Sequence, residues 1–526
     1  MKFRWIGLGV LIALIGALFL VRGIKHRPTG PLQISFWYWQ TPYTLSKDDQ
    51  SSLKRIGVTQ MFVRAGTFSS DGTNIVLRFP QEFAEGATAL PVQLVFNTDA
   101  GVLRHFEDYN LATIVPEMSE RMATQVKRAQ VYGLKVTGVQ LDFDIPTRLL
   151  PRYSSLVAKI RASNPLFQRR SDFQFSITGL MSWLGTHGLE TLSNEVDFMV
   201  PQAYEGFTGR TPNAMRPVFD PEELKKRMPA AERLNCPYWI GIPAYGHALL
   251  YDNHDHLLGT YRNLEAQDAL RHPSFHLVDA YPTDRLGHPA KDTNDWVGEE
   301  ILKFKAIKPA PSGYGLGYTL AYSIPTPAVL KQSYDLVSQG RGSGCQGVII
   351  YRMPETGSSF SLPISTIEKT LHKEQLTTGF NVKLTSNQDT YEAIETNRKN
   401  IPMDIFLETT NVGSDPTFVA RNAAEITLTI DKPGFGELRL RDFDSATYAR
   451  STPGQTATSA DPRFADEVHL KKGFCSPGKK LLVGPIRLLN SGPVRVKISV
   501  KVRSSSGFAD SQKTLPDVIL QTKPGK

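Results

Sequence analysis

A chain of 526 residues is too long for one ordinary core, so two domains, or a barrel with an addition, are expected. Its 40% hydrophobic and 21% charged residues describe a folded globular protein and exclude a disordered one. The net charge of +9 is spread over short runs such as Lys225-Lys226-Arg227 and Lys479-Lys480 without a nucleic-acid-binding motif, so no nucleic acid partner is expected.

At the N-terminus, Lys2 and Arg4 precede an apolar run from Trp5 to Val21, followed by Arg22, Lys25 and Arg27. The run reaches the lower limit for a bilayer-spanning helix and exceeds a usual signal-peptide core. No small-x-small cleavage site or lipobox cysteine follows. Residues 1–30 therefore read as an uncleaved signal anchor with a short tether at Pro28–Pro31. The implied location is the inner membrane, with an extracytoplasmic (periplasmic) domain.

From residue 31 to 375, strand patterns alternate with helical ones. The strand candidates are Gln33–Trp39, Thr59–Arg64, Val92–Phe96, Val136–Asp144, Phe173–Leu180, Val196–Tyr204, Tyr238–Tyr245 and Gly347–Arg352. Helical patterns cover Met118–Tyr132, Tyr153–Ala162 and Pro221–Leu234. Eight such strands suit an α/β fold, a closed (β/α)8 TIM barrel. An open doubly wound sheet is the alternative, but no Gly-rich phosphate loop follows the first strand. The connection after strand 7, about 247–311, reads as an inserted subdomain. Within it His254-Asp255-His256 lies in a polar turn without helical ligand spacing, so no metal is expected.

The three cysteines are Cys236, Cys345 and Cys475. Cys236 and Cys345 precede strands 7 and 8 at similar intervals. A disulfide and two buried free thiols both remain open for them.

Beyond residue 376 the helical patterns vanish. Met403–Glu408, Glu425–Ile430, Glu437–Leu440, Leu481–Leu488 and Val494–Val502 alternate with period two, which predicts a C-terminal antiparallel β-sandwich-like domain over 376–526. Ser445–Phe464 reads as a long loop, and the tail after Ser504 as poorly ordered.

In a (β/α)8 barrel, functional groups gather at the C-terminal ends of the strands. Those ends hold Trp39, Gln40, Asp142, Asp144, Trp183, Gln202, Tyr204, Glu205, Tyr245 and Tyr351. Gln140, Asp142 and Asp144 share one face of the fourth strand. Aromatic rings, amides and paired carboxylates around one mouth are what a sugar needs. Sugar C–H faces stack on rings, and a glycosidic bond needs an acid and a second negative group.

The strand Gly138–Asp144, ending Leu-Asp-Phe-Asp, resembles the Asp-Gly-x-Asp-x-Asp-x-Glu signature of chitinase-type glycoside hydrolases. Further segments follow in that family's order. Phe175-Ser-Ile-Thr-Gly-Leu is similar to its fifth strand. Gln202-Ala203-Tyr204-Glu205 stands where its sixth carries Met-x-Tyr-Asp. Tyr245-Gly246 matches the seventh, and Tyr351 closes the eighth, where Trp is usual. The Gln-x-Asp-x-Asp form is closer still to a bacterial extracytoplasmic family of unknown function. Aligned on Gly138, the family's first two Asp fall on Thr137 and Gln140, its third Asp on Asp142, and its acid Glu on Asp144.

The resemblance implies a membrane-anchored, glycoside hydrolase-like protein acting on an envelope or extracellular polysaccharide, N-acetylated sugars included. Asp144 would be the general acid, with Asp142 and Tyr204 as its catalytic partners. Trp39, Gln40, Gln140, Trp183, Gln202, Glu205, Tyr245 and Tyr351 would bind substrate, and no cofactor is expected. The alternatives are a catalytically inactive carbohydrate-binding barrel and an envelope assembly factor that interacts through the C-terminal domain.

Overall fold

The computed structural model describes residues 30–520, apart from 71–73, 205–208, 262–263, 310–312, 388–402, 452–457, 491–492 and 506–509. The apolar run Trp5–Val21 and Glu205 lie outside the described residues. Among the described residues, no helix is long and apolar enough to cross a membrane.

Eight parallel strands close into a barrel: β1 (Gln33–Tyr38), β2 (Val58–Ser70), β3 (Val92–Thr98), β4 (Val136–Asp142), β5 (Gln174–Leu180), β6 (Phe198–Gln202), β7 (Tyr238–Pro243) and β8 (Cys345–Tyr351). Each pairs with the next, and β8 pairs back onto β1. Closure leaves no exposed edge, which is how this architecture avoids strand-to-strand aggregation. Beyond the barrel rim, β2 continues into an antiparallel pairing with Ile75–Arg78.

The helices between strands show their local causes. Ser46 and Asp49 form a reciprocal capping box at the start of Lys47–Ile56, and Gly57 ends that helix in the left-handed conformation at φ 80°. Asn110 caps Leu111–Val131, which begins seven residues before the predicted Met118. Pro116 sits inside it, and the helical pattern becomes readable only beyond that residue. The helices predicted at Tyr153–Ala162 and Pro221–Leu234 form as Leu150–Ser163 and Pro221–Ala231.

Alternation along the strands separates two cores. Side chains facing outward, such as Val139 and Leu141, meet the helices. Inside the barrel, Trp37, Phe62, Val95, Phe198, Val200, Trp239 and Ile349 fill the interior. The barrel is thus plugged below its mouth rather than hollow.

Between β7 and β8 the chain builds an antiparallel sheet in the order Leu257–Thr260, His247–Tyr251, Thr319–Pro325, Glu299–Ala306, Phe275–Pro282. This sheet runs past Pro311, because Thr319–Pro325 is its central strand. One face packs Leu249, Tyr251, Tyr281, Ile301 and Ala321 against Met215 from the segment after β6. The opposite face packs Leu250, Leu302, Phe304, Leu320 and Tyr322, together with Val419 and Phe474 of the C-terminal part.

The C-terminal part has two antiparallel sheets. One orders Phe380–Ser386, Met403–Asn411, Lys480–Leu488 and Phe435–Leu438. The other orders Thr458–Ser459, Ser445–Arg450, Glu467–Lys472, Ala424–Ile430, Val494–Arg503 and Asp510–Thr514, with Val518–Leu520 also on Val494–Arg503. Val494, Val496, Ile498, Val500 and Val502 point into the shared core, while Arg495, Lys497 and Lys501 are exposed. Fully burying such a side chain contributes roughly 1.5–3 kcal/mol. Two expectations are corrected here. The stretch read as a loop contains Ser445–Arg450, whose backbone pairs with Glu467–Lys472. The polar tail forms Asp510–Thr514, which completes the edge of Val494–Arg503 despite having no apolar pattern.

All three cysteines are buried free thiols, so the disulfide considered for Cys236 and Cys345 is absent. Cys345 is in register with Tyr238, which places it two residues further along the sheet than Cys236.

Candidate functional site

At the C-terminal ends of the strands lies a cavity of about 540 Å³. Trp37 and Trp39 enter it from β1 and its end, Asn97 and Thr98 from β3, and Asp142 and Asp144 from the end of β4. Gln202, Tyr204, Tyr245 and Tyr351 complete the barrel side. The inserted sheet closes the other side with His247, Leu249, Thr260 and Tyr261, and Val218 joins from the segment after β6.

Strand geometry positions the carboxylates. Gln140 and Asp142 both face into the barrel; the strand ends at Asp142, and Asp144 follows at the cavity rim in a tight turn that the Ile145 N–H closes by donating to Phe143 O at 2.8 Å. Asp142 Oδ1 accepts hydrogen bonds from Thr178 Oγ1 at 2.8 Å and Gln202 Nε2 at 2.9 Å. Burial raises the Asp142 pKa, and these two bonds oppose the rise. Asp144 is walled by protein on most sides, yet its side chain is open to the water of the cavity. Crowding by protein, and secondarily the Asp142 charge, push it up to about 7.

The rings form one connected wall. Tyr204 and Tyr351 stack with centroids 4.9 Å apart, and Trp37 meets both edge-on at 6.0 and 6.1 Å. Trp39 and Tyr245 each approach Tyr351 edge-on, and Tyr245 stacks on Phe360. Gly241 on β7 makes this packing fit. A Cβ there would lie 2.9 Å from Tyr204 Cε1 and 3.0 Å from the Trp37 ring. The Arg352 guanidinium sits 4.0 Å over the Tyr245 ring and donates to Glu355 at 2.6 Å.

Three residues expected to bind substrate stand elsewhere. Gln140 is fully buried beneath the cavity, where it accepts from Trp37 Nε1 at 2.9 Å and donates to Ser176 Oγ at 3.3 Å. Its place in the interior layer follows from the same alternation that lifts Asp142 above it. Trp183 is fully buried because the Met181–Trp183 turn folds it back under the strand ends, where its indole donates to Ile145 O at 3.0 Å. Gln40 braces the loops behind β1, donating to Met353 O and accepting from Gln81, both at 2.8 Å. Trp39, Asp142, Asp144, Gln202, Tyr204, Tyr245 and Tyr351 do come together around the cavity.

Sequence reasoning passed over Trp37, Phe360 and the contributions of the inserted sheet. Trp37 lies two residues before Trp39 on one strand face, a signal that alternation could have supplied. Of the inserted residues, His247 is the notable one. Its Nε2 is buried without a partner, and burial pushes the imidazole down to about 4, so it is neutral at ordinary pH.

The His254–His256 cluster is a turn. Asp252 Oδ1 accepts the backbone N–H of His254 and of His256, each at 2.8 Å. Among the described residues no group of three or more His, Cys, Asp or Glu could hold a metal ion.

A family model described as a domain of unknown function (DUF3142) matches residues 84–272. No curated protein matches the chain. Among solved structures the chain is similar to the spore cortex-lytic enzyme SleL of Bacillus cereus, at 14% identity and TM-score 0.40, over 66% of this chain and 75% of that one. A glycoside hydrolase family 18 N-acetylglucosaminidase of Paenibacillus barengoltzii matches at 10% identity and TM-score 0.38, over 65% and 100%. A class V chitinase of Nicotiana tobaccum, solved with bound NAG4, matches at 12% and 0.37, over 65% and 99%.

Proposed function

We propose that this barrel is a glycoside hydrolase-like catalyst for an envelope or extracellular polysaccharide, with Asp144 as its general acid. The observation that carries the reading is the carboxylate pair set in a ring-walled cavity. Asp144 is open to the cavity and raised to about 7, so at neutral pH a substantial fraction holds a proton. Rings such as Trp39, Tyr245 and Tyr351 offer flat apolar faces to sugar C–H groups.

For an N-acetylated sugar the steps balance as follows. Asp144 gives its proton to the glycosidic oxygen as the C–O bond breaks. The sugar's own acetamido oxygen bonds to the anomeric carbon, with Asp142 and Tyr204 orienting the acetamido group. Water then adds to that carbon, the acetamido oxygen leaves, and the proton returns to Asp144. Two carboxyl groups in different environments are the usual means of dividing acid and anion roles. The apolar run Trp5–Val21 between basic flanks supports a membrane tether that holds the barrel on the extracytoplasmic side.

A second reading, a barrel that binds sugar without cleaving it, rests on the acid being Asp144. Its reach is about 1.5 Å shorter than that of the Glu in the resembled motif. The test is release of new reducing ends from envelope polysaccharides and N-acetylated oligosaccharides. Release by the parent and none by Asp144→Asn supports hydrolysis. Binding without cleavage by either protein leaves the second reading.

A further inference from the structure

The two carboxylates are chemically alike and adjacent, so something must decide which of them keeps the charge. Asp142 Oδ1 takes two donors, Thr178 Oγ1 from β5 and Gln202 Nε2 from the end of β6. Among the described residues, no hydrogen bond reaches Asp144. Thr178 is 1% exposed and Gln202 8%, so neither donor is free to exchange readily with bulk water.

Their orientation is constrained by chemistry. The Thr178 hydroxyl has one proton, and Asp142 at 2.8 Å is a much better acceptor than Leu141 O at 3.5 Å. An ionised carboxylate only accepts, so it selects the NH2 end of the Gln202 amide. Charge-assisted bonds of this kind are roughly twice as strong as neutral ones.

Other titratable groups do not make the distinction. Tyr153 lies behind both carboxylates, and its phenol is pushed far up by burial and by the two charges. Tyr204, Tyr245, Tyr351 and the neutral His247 face them across the cavity, and among the described residues no Lys or Arg lines it. On β2, Arg64 donates to Thr67 Oγ1 at 2.9 Å.

We infer that Gln202 is a positioning residue which, with Thr178, holds the negative charge of the pair on Asp142 and so leaves the transferable proton on Asp144. This rests on the hydrolase reading for its catalytic meaning, but the charge assignment stands on its own geometry. Gln202 thereby acts through Asp142 rather than by touching substrate.

The test is carboxyl 13C NMR titration of Asp142 and Asp144 in the whole chain and in Gln202→Met, which keeps the side-chain length and removes the donor. The parent should titrate Asp142 well below Asp144. In Gln202→Met, Asp142 should titrate on the order of one pH unit higher and Asp144 lower, because the donor favoured the charged form. Thr178→Val should move both curves the same way, and Thr178→Ser, which keeps the hydroxyl, should restore the parent curves. If Gln202→Met does not fold, the Thr178 pair decides. Unmoved curves in folded variants would overturn the assignment.

Where turnover exists, Gln202→Met should lower kcat and raise the pH of the acid limb while KM stays near the parent value. Absence of turnover in the parent would count against the hydrolase reading. The titration curves would still decide the charge assignment.

Discussion

Glu299 and Glu300 are neighbours in sequence and serve opposite faces of the inserted sheet. Glu299 is fully buried and accepts the backbone N–H of Val218 and Phe219, each at 2.8 Å, together with the Ser323 hydroxyl. Glu300, 1% exposed, accepts the backbone N–H of Val419 in the C-terminal part at 3.2 Å, and its Oε1 has no partner. Two adjacent residues thus tie the cavity wall at Val218 and the C-terminal sheets to one strand.

Burial makes this strand sensitive to pH. It pushes Glu299 up to about 7 and Glu300 up to about 8, from an ordinary value near 4.5. Between those limits the folded chain holds protons that the unfolded chain has lost. The contribution to stability is therefore full below about 4.5 and is lost as pH rises toward 8. Glu300→Gln removes one of these titrations. Its stability relative to the parent should improve steadily from pH 5 to 8.5 in urea unfolding, and a constant difference would contradict the assignment.

Replacing Glu299 by Ala leaves the buried N–H groups of Val218 and Phe219 without their acceptor. Each buried donor left unsatisfied costs about 1–3 kcal/mol. Calorimetry should show a large fall in Tm, and ligand affinity should fall with it because Val218 lines the cavity.

Gly241→Ala tests the ring wall. The added methyl would press on Tyr204 and Trp37 at 2.9 and 3.0 Å, so one ring must move. We expect about 1–3 kcal/mol of destabilisation from overpacking, with weaker sugar binding in titration calorimetry. Unchanged affinity would mean that the wall does not contact the ligand.

The thiols give a simple check on packing. Burial pushes Cys236, Cys345 and Cys475 up to about 12, so all three should resist a thiol reagent in the native protein. All three should react after unfolding without reductant. A count of one would reveal a disulfide.

Much of this was legible in the sequence because barrel strands repeat a short pattern and end in polar residues. The alternation at Gln140, Asp142 and Asp144 put three side chains on one face. It did not say which would sit above the plug, and Gln140 falls below it. Trp183 misled because a tight turn, invisible to periodicity, reverses its direction. Leu249, Thr260 and Tyr261 reach the cavity through antiparallel pairings set by long-range register, which local pattern does not encode. Asp510–Thr514 is a strand only because Val494–Arg503 offers it an edge.

The proposed acid role implies a pH dependence. General acid catalysis needs protonated Asp144, so turnover should fall as pH rises through about 7. On the acid side it should fall as Asp142, also raised by burial, takes up a proton. A profile flat from pH 5 to 9 would remove Asp144 from the chemical step.

The most direct measurement compares leaving groups. Asp144→Asn should lose about 10²–10⁴-fold in kcat on oligosaccharides, whose departing alkoxide needs a proton. On an aryl glycoside with a nitrophenolate leaving group, which departs without one, the same variant should retain most of the parent rate. An equal loss on both substrates would contradict Asp144 as the general acid.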